Sequence, residues 1–266
     1  MTQKVPWAKR PLGQHFLTDP NTCRKIVDFA GIDKSDVVVE IGPGTGALTQ
    51  PLLAVAREVI AIEFDQEMIA YLESNLPPKL SGGLTLIRGN ILDLNWLGIL
   101  PRSPVKIVGN LPYNISTPTL TKMTELKDRF QSLTCMLQKE VASRVLARPA
   151  TKDYGYLTLI MEYHFERIRG FTVPPTVFIP RPKVQSFVIK LIPRKIANPV
   201  PDYPHFLALL RTAFSHRRKT LWNNLIRAGG RSQEELRAAF DSTCLRRQIR
   251  AEEVALEQYL CLAQLL

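Results

Sequence analysis

Between about residues 36 and 140 the chain alternates between two spacings of apolar residues, and this alternation constrains its fold more than any other feature. Runs of four or five apolar, largely β-branched residues recur at 37–41, 59–62, 84–87, 105–108 and 133–137. Their length and their Gly, Asn or Asp boundaries favour strands over buried helices. Between them, 48–55 and 68–76 space their apolar residues at i, i+3 and i+4, as a helix with one buried face requires. Strands apolar on both faces and separated by helices imply a parallel sheet covered on each side, the doubly wound α/β class.

A later strand pair is expected at 168–173 and 186–192. Pro174, Pro175, Pro180 and Pro182 make its connection extended and semi-rigid. Pro193, Pro199, Pro201 and Pro204 then mark a linker, beyond which helical spacing takes over at 206–214, 220–226, 232–240 and 251–266. Ser232 with Glu235 three positions on is the pattern of a capping box. The expected organisation is therefore an α/β domain over 1–195 and a small helical domain over 196–266.

Charge narrows the class of partner. Thirty-five Lys and Arg against 24 Asp and Glu leave a net charge of +11, denser in the helical segment. Such an excess favours nucleic acid or an anionic surface. No run approaches the ~18 apolar residues of a membrane helix, and residues 1–17 hold no apolar signal core, so a cytoplasmic protein without membrane contact is expected. Cys23, Cys135, Cys244 and Cys261 form no CxxC and have no neighbouring His. Buried thiols in a reducing compartment, and no metal, are the reading they support.

Two motifs carry chemistry. Glu40-Ile41-Gly42-Pro43-Gly44-Thr45-Gly46-Ala47 places three glycines between the first strand and a helix, where backbone must turn tightly and approach a ligand closely. Glu63 ends the second strand about twenty residues on, where a doubly wound fold presents a carboxylate to ribose hydroxyls. The pair points to a nucleoside cofactor. Gly42, Gly44 and Ala47 also fit the dinucleotide pattern, so an NAD-dependent oxidoreductase stands as an alternative at this point. Asn110-Leu111-Pro112-Tyr113 follows the fourth strand at the carboxyl end of the sheet. An exocyclic aromatic amine is a poor nucleophile because its lone pair is delocalised into the ring. The Asn110 side-chain oxygen and the Pro112 carbonyl can hold its two N–H bonds, and Tyr113 can stack on the base. That is catalysis by orientation, without a general base.

The run from Glu40 to Gly46 resembles motif I of class I methyltransferases that use S-adenosyl-L-methionine. Asn110 to Pro118 resembles motif IV of the ribosomal RNA adenine-N6 dimethyltransferases. Similar to that family are also Lys9 to Leu17 (its cofactor-lid motif), Leu137 to Ala142, Tyr154 to Leu157, Pro174 to Ser186 and Ala213 to Leu221. The resemblance covers nearly the whole chain and is strongest to the small-subunit branch of the kasugamycin-sensitivity type. It implies a Rossmann-like class I methyltransferase domain with a small C-terminal helical domain. His15, Leu17, Gly42, Gly44, Glu63, Phe64, Asn90, Ile91 and Asn110 would contact the cofactor, with Phe64 on the adenine and Asn90 and Ile91 at its edge. Asn110, Pro112 and Tyr113 would hold the target base, and Phe178 would close over its other face. Arg217, Arg218 and Lys219 would dock RNA, with Lys9 and Arg10 adding to the basic surface.

The implied reaction is transfer of two methyl groups to N6 of each of two adjacent adenosines. These lie in the hairpin near the 3′ end of small-subunit ribosomal RNA, in a pre-ribosomal particle, and a metal-free monomer is expected to act on them. Two positions depart from the family pattern: residue 90, usually Asp, is Asn, and residue 15, often Asn, is His. Alternatives are a large-subunit RNA methyltransferase of the macrolide-resistance type and a non-catalytic assembly factor.

Overall fold

The five apolar runs are neighbouring parallel strands of a single sheet in the computed structural model, which describes residues 8, 9, 12–196 and 199–266. In chain order, β1 (Phe16–Leu17) and α1 (Pro20–Ala30) lead into β2 (Val37–Ile41), α2 (Thr49–Val55), β3 (Glu58–Glu63) and α3 (Gln66–Asn75). Two single turns, α4 (Pro78–Ser81) and α5 (Trp96–Ile99), flank β4 (Leu84–Arg88); then come β5 (Val105–Asn110), α6 (Ser116–Glu125) and β6 (Phe130–Gln138). Next are α7 (Lys139–Val145), α8 (Tyr156–His164), β7 (Phe165–Val173), β8 (Phe178–Ile179) and β9 (Ser186–Pro193). The helices α9 (Tyr203–Ala213), α10 (Leu221–Ala228), α11 (Gln233–Ser242) and α12 (Leu256–Leu265) complete the chain.

The sheet order is β4-β3-β2-β5-β6-β9-β7. Strands β2 to β6 are mutually parallel, whereas β9 runs antiparallel to both β6 and β7. From β2 the chain builds outward to β3 and β4, then crosses back to β5 on the other side. The crossover connections leaving β2 and β5 therefore diverge, and a crevice opens at their carboxyl ends. Every residue of β2 is buried, which is why its sequence is continuously apolar rather than alternating. Gly109 lies opposite Ile41 in this register. A Cβ there would stand 2.9 Å from the Ile41 carbonyl oxygen, so the close approach of the two central strands needs glycine.

Three local signals delimit α1. Asp19 accepts from the Thr22 N–H at 2.8 Å, Pro20 occupies the first turn, and Gly31 ends the helix in the left-handed region. Lys106 donates to the Gly31 carbonyl and Lys190 to that of Ala30, at 2.6 and 2.9 Å, which places two cations at the negative end of the helix dipole. Mutual repulsion and burial hold the Lys190 ammonium below the usual lysine range, with burial the larger cause.

The chain divides into two compact units: residues up to Ala142 with Phe165–Pro193, and Ser143–His164 with Arg194–Leu266. This differs from a single boundary near 195, because 143–164 belongs with the C-terminal helices. The bonds that retain it are specific. Tyr154 Oη donates to the Val254 carbonyl at 3.0 Å, and the Ala150 N–H to that of Glu252 at 2.7 Å. Within the second unit the capping box forms, Ser232 N donating to Glu235 at 2.7 Å and Glu235 N to Ser232 at 3.1 Å. The expected helix over 251–266 is interrupted. A short 3-10 turn at Ala251–Glu253, closed by Arg250 N donating to the Glu253 carboxylate, precedes α12. Cys23 and Cys135 are buried as expected, but Cys244 and Cys261 are exposed: the first follows the end of α11, the second occupies the outer face of α12. Among the described residues no helix is long and apolar enough to cross a membrane, and no group of three His, Cys, Asp or Glu is placed to hold a metal ion.

Candidate active site

A cavity of about 230 Å³ opens at the carboxyl ends of β2, β3, β4 and β5. Its wall comes from residues 12–17, which include β1, and from 40–45 with 47–48, 62–64, 89–91 and 110–115, each of which runs off the carboxyl end of a strand. His15, Leu17, Gly42, Gly44, Glu63, Phe64, Asn90, Ile91, Asn110, Pro112 and Tyr113 all line it. Residues spread over a hundred positions meet because parallel strands end in register.

Glu63 organises the glycine loop. One carboxylate oxygen accepts from the Gly44 N–H at 3.1 Å; the other accepts from Phe64 and Asp65, both at 2.9 Å. Gly44 itself has φ +54°, and a Cβ on it would meet the Phe16 ring at 3.0 Å. Only glycine lets the backbone turn here and keep its face open to a ligand. Burial pushes the Glu63 carboxyl above its ordinary value despite these three donors.

Glu40 was visible in the sequence only as a flank of the glycines. It is 1% exposed, it lines the same cavity, and its Oε2 has no hydrogen-bond partner among the described residues. Burial, with the neighbouring Glu63 charge acting the same way, raises its carboxyl from 4.5 to about 8. Two acids, one with an orphaned oxygen, thus face a cavity whose described lining holds no Lys or Arg.

At the end of β5, Asn110 Nδ2 donates to the His15 carbonyl at 2.9 Å. This sets the planar amide with its Oδ1 on the opposite side, as an acceptor. The Pro112 carbonyl is not available as its expected companion: it accepts from Ile115 N at 3.1 Å and Ser116 Oγ at 3.0 Å, in the turn that starts α6. Both lone pairs are spent. The adjacent Leu111 also lines the cavity, and its carbonyl accepts no bond from the described residues. Tyr113 is oriented by Ser186 of β9, Oη to Oγ 2.6 Å, and its ring lies 5.2 Å from that of His15. His15 in turn donates from Nδ1 to the Pro180 carbonyl at 2.7 Å.

Asn90 explains its own departure from aspartate. Its Nδ2 donates to the Asp93 carboxylate at 2.6 Å while Oδ1 accepts from Leu92 N. A carboxylate at 90 would face that of Asp93; the amide converts repulsion into a hydrogen bond and keeps a negative charge one turn away. Lys9 is not part of an open basic surface. Its ammonium pairs with Asp65 and Glu67 at 2.8 and 3.0 Å, and Gln14 joins it on Asp65. Arg10 lies outside the described residues.

Phe178 is not brought to the cavity. It pairs through the backbone with Leu17, is 2% exposed, and packs in the apolar cluster with Leu17, Cys23 and Val27. Strand alternation turns its ring inward and sends its neighbour, Ile179, to solvent. Arg217, Arg218 and Lys219 are exposed in the turn ahead of α10, in the second unit. That turn is joined by two others. Arg217 donates to the Lys152 carbonyl at 2.7 Å, and Thr220 bridges Arg250, beside exposed Arg246 and Arg247.

A glycine loop at the switch point, an acid clasping it and an Asn-Leu-Pro-Tyr turn beside it define a class I methyltransferase. The lining fits S-adenosyl-L-methionine: buried acids suit its cationic methionyl end and ribose, and Leu17, Phe64 and Ile91 suit its adenine. The family model for ribosomal RNA adenine dimethylase matches residues 7–266, and the chain belongs to that family. A curated relative from Streptococcus sanguinis, ribosomal RNA small subunit methyltransferase A, is 40% identical over 97% of this chain and 91% of its own. The protein of the same name from Clostridium acetobutylicum is 40% identical over 93% and 90%. Among solved structures, a dimethyladenosine transferase from Plasmodium falciparum superposes with a TM-score of 0.79 at 27% identity, covering 93% of this chain and 96% of that one. The 23S rRNA methyltransferase ErmE gives 0.68 at 26%, covering 94% and 98%. The protein is an S-adenosyl-L-methionine-dependent ribosomal RNA adenine methyltransferase.

The raised Glu40 carboxyl predicts a pH dependence. Between about 4.5, where an unfolded glutamate ionises, and about 8, the folded protein keeps a proton that the unfolded chain has released. Its stability without cofactor therefore falls as pH rises through this window. Glu40→Gln removes that loss, so its thermal midpoint relative to wild type should climb between pH 5 and pH 8. A difference that stays constant with pH contradicts a protonated Glu40.

Proposed function

We propose that the protein dimethylates N6 of two adjacent adenosines in the 3′-terminal hairpin of small-subunit ribosomal RNA, in the cytoplasm and within a pre-ribosomal particle. The observation that carries this reading is the Asn110 amide, which lines the cavity with its Nδ2 committed to the His15 carbonyl and its Oδ1 left to accept. The small subunit is favoured over the large one by the curated relatives, 40% identical against 26% for ErmE.

When bound, the cofactor supplies a methyl group on a sulfonium, an electrophile that needs no further activation. Glu63 and the Gly42–Gly44 backbone would hold its ribose and methionyl portions, Phe64, Asn90 and Ile91 its adenine. Asn110 Oδ1 and, in place of the Pro112 carbonyl, the Leu111 carbonyl accept the two N–H bonds of the target amine. Held this way, the nitrogen is drawn out of conjugation and its lone pair freed to form the N–C bond in exchange for the sulfonium's S–C bond; the cationic N6 then loses its proton through an accepting oxygen to solvent, and the neutral thioether departs. Tyr113, pinned by Ser186, stacks on the base and fixes its plane. These groups act by orientation and preorganised polarity, contributions worth several orders of magnitude in rate. After the first methyl is in place one N–H remains, so the second transfer uses one acceptor and leaves the other idle. The turns carrying Arg217, Arg218 and Lys219, with Arg246 and Arg247, provide phosphate contacts that position RNA without reading its sequence.

Asn110→Ala should lower single-turnover methyl transfer about 10²–10³-fold, the usual cost of one preorganised polar contact, with cofactor affinity much less affected. Near-wild-type transfer would remove Asn110 from the reaction. Neutralising Arg217, Arg218 and Lys219 together should weaken RNA binding and flatten its dependence on log salt by about 0.7 per lost contact to single-stranded phosphate. An unchanged slope would place RNA docking elsewhere.

A further inference from the structure

Neighbouring residues of β8 meet opposite fates. Phe178 is buried, while Ile179 is 66% exposed, more than any other large apolar side chain among the described residues. Its position is not peripheral. Ile179 is the strand partner of Phe16, which lines the active-site cavity, and the next carbonyl along, that of Pro180, receives the His15 hydrogen bond.

The loop presenting Ile179 is held from several sides. Thr18 N donates to the Val177 carbonyl at 2.9 Å. Lys139 donates through its backbone N–H and its ammonium to the carbonyl and side chain of Gln185, at 3.0 and 2.9 Å. Ser186 meets Tyr113. A second apolar side chain, Val184, is 43% exposed on this loop, and Arg181 and Lys183 between them are exposed. A rigid segment thus carries apolar groups into solvent beside the cavity, interleaved with two cations. That pattern suits a nucleic-acid strand: the cations match its phosphates and the apolar groups match the faces of its bases.

We propose that Ile179 is a stacking platform for the nucleotide adjacent to the adenosine undergoing transfer, with Arg181 and Lys183 holding the flanking phosphates. The inference rests on the adenine-N6 reading above and adds to it a residue that positions the RNA. An adenosine delivered to Tyr113 must leave its stack, which uncovers a face of its neighbour. Covering that face with Ile179 offsets part of the unstacking cost and holds the second adenosine at the rim while the first reacts.

A cycle between protein and substrate tests this. Small subunits are assembled with a synthetic 3′ hairpin in which the nucleotide on either side of one target adenosine is made abasic in turn. Transfer is measured with wild type, Ile179→Ser and Ile179→Phe. For one of the two neighbours, Ile179→Ser and the abasic site should each lower kcat/KM about tenfold, the scale of one weak base stack. Combined, they should lower it no further than either alone. Ile179→Phe should restore transfer on the intact hairpin, and cofactor affinity should be unchanged in both variants. Normal transfer by Ile179→Ser, or losses that multiply for both neighbours, overturns the platform. Wild-type protein that puts no methyl on adenine N6 overturns this inference together with the reading beneath it.

Discussion

A single carboxylate, that of Glu63, ties together the parts on which the site depends. Its two oxygens gather the N–H groups of Gly44, Phe64 and Asp65, so the end of β3 and the loop after β2 are held as one piece. The turn continues into Asp65, which caps α3 through the Glu67 N–H and receives Lys9 and Gln14. From there the segment over 12–17 runs along the cavity wall to His15, whose carbonyl orients Asn110 and whose ring binds the Pro180 carbonyl. The glycine loop, the N-terminal segment and the Asn110 amide are thereby linked by consecutive hydrogen bonds.

The arrangement buries two carboxyl groups in a cavity whose described lining holds no Lys or Arg to answer them. Burying two carboxyl groups in one cavity is unfavourable unless they are paired or neutral. Glu63 is supported by three backbone donors, whereas Glu40 is left with an orphaned oxygen and responds by holding its proton. The site is thus poised for a ligand that brings positive charge, as the sulfonium and ammonium of S-adenosyl-L-methionine do. The side proposed to receive the base has the opposite character. Asn110 and Leu111 offer neutral acceptors, suited to an amine that must stay uncharged to react.

The parallel sheet was legible because burial on both faces leaves continuous apolar runs, and the glycine loop because its turn excludes side chains. The strands β1 and β8, two residues each, carry no periodicity and exist only through their long-range pairing. Helix α1 could have been found: Asp19-Pro20 at one end and Gly31 at the other are its start and stop signals. The separation of function between Asn110 and Pro112 was beyond sequence, since the loss of the Pro112 carbonyl follows from hydrogen bonds made by Ile115 and Ser116. The family resemblance implies a stacking role for Phe178, but only strand pairing decides which of Phe178 and Ile179 faces the core. The return of 143–164 to the helical unit likewise depends on contacts with residues a hundred positions later.

The most direct test of the account is transfer of labelled methyl from S-adenosyl-L-methionine onto under-methylated small ribosomal subunits, followed by nucleoside analysis and mapping. N6,N6-dimethyladenosine is expected at two adjacent positions of the 3′-terminal hairpin, with N6-monomethyladenosine as its precursor. Label confined to another nucleoside, or to large-subunit RNA, would contradict it.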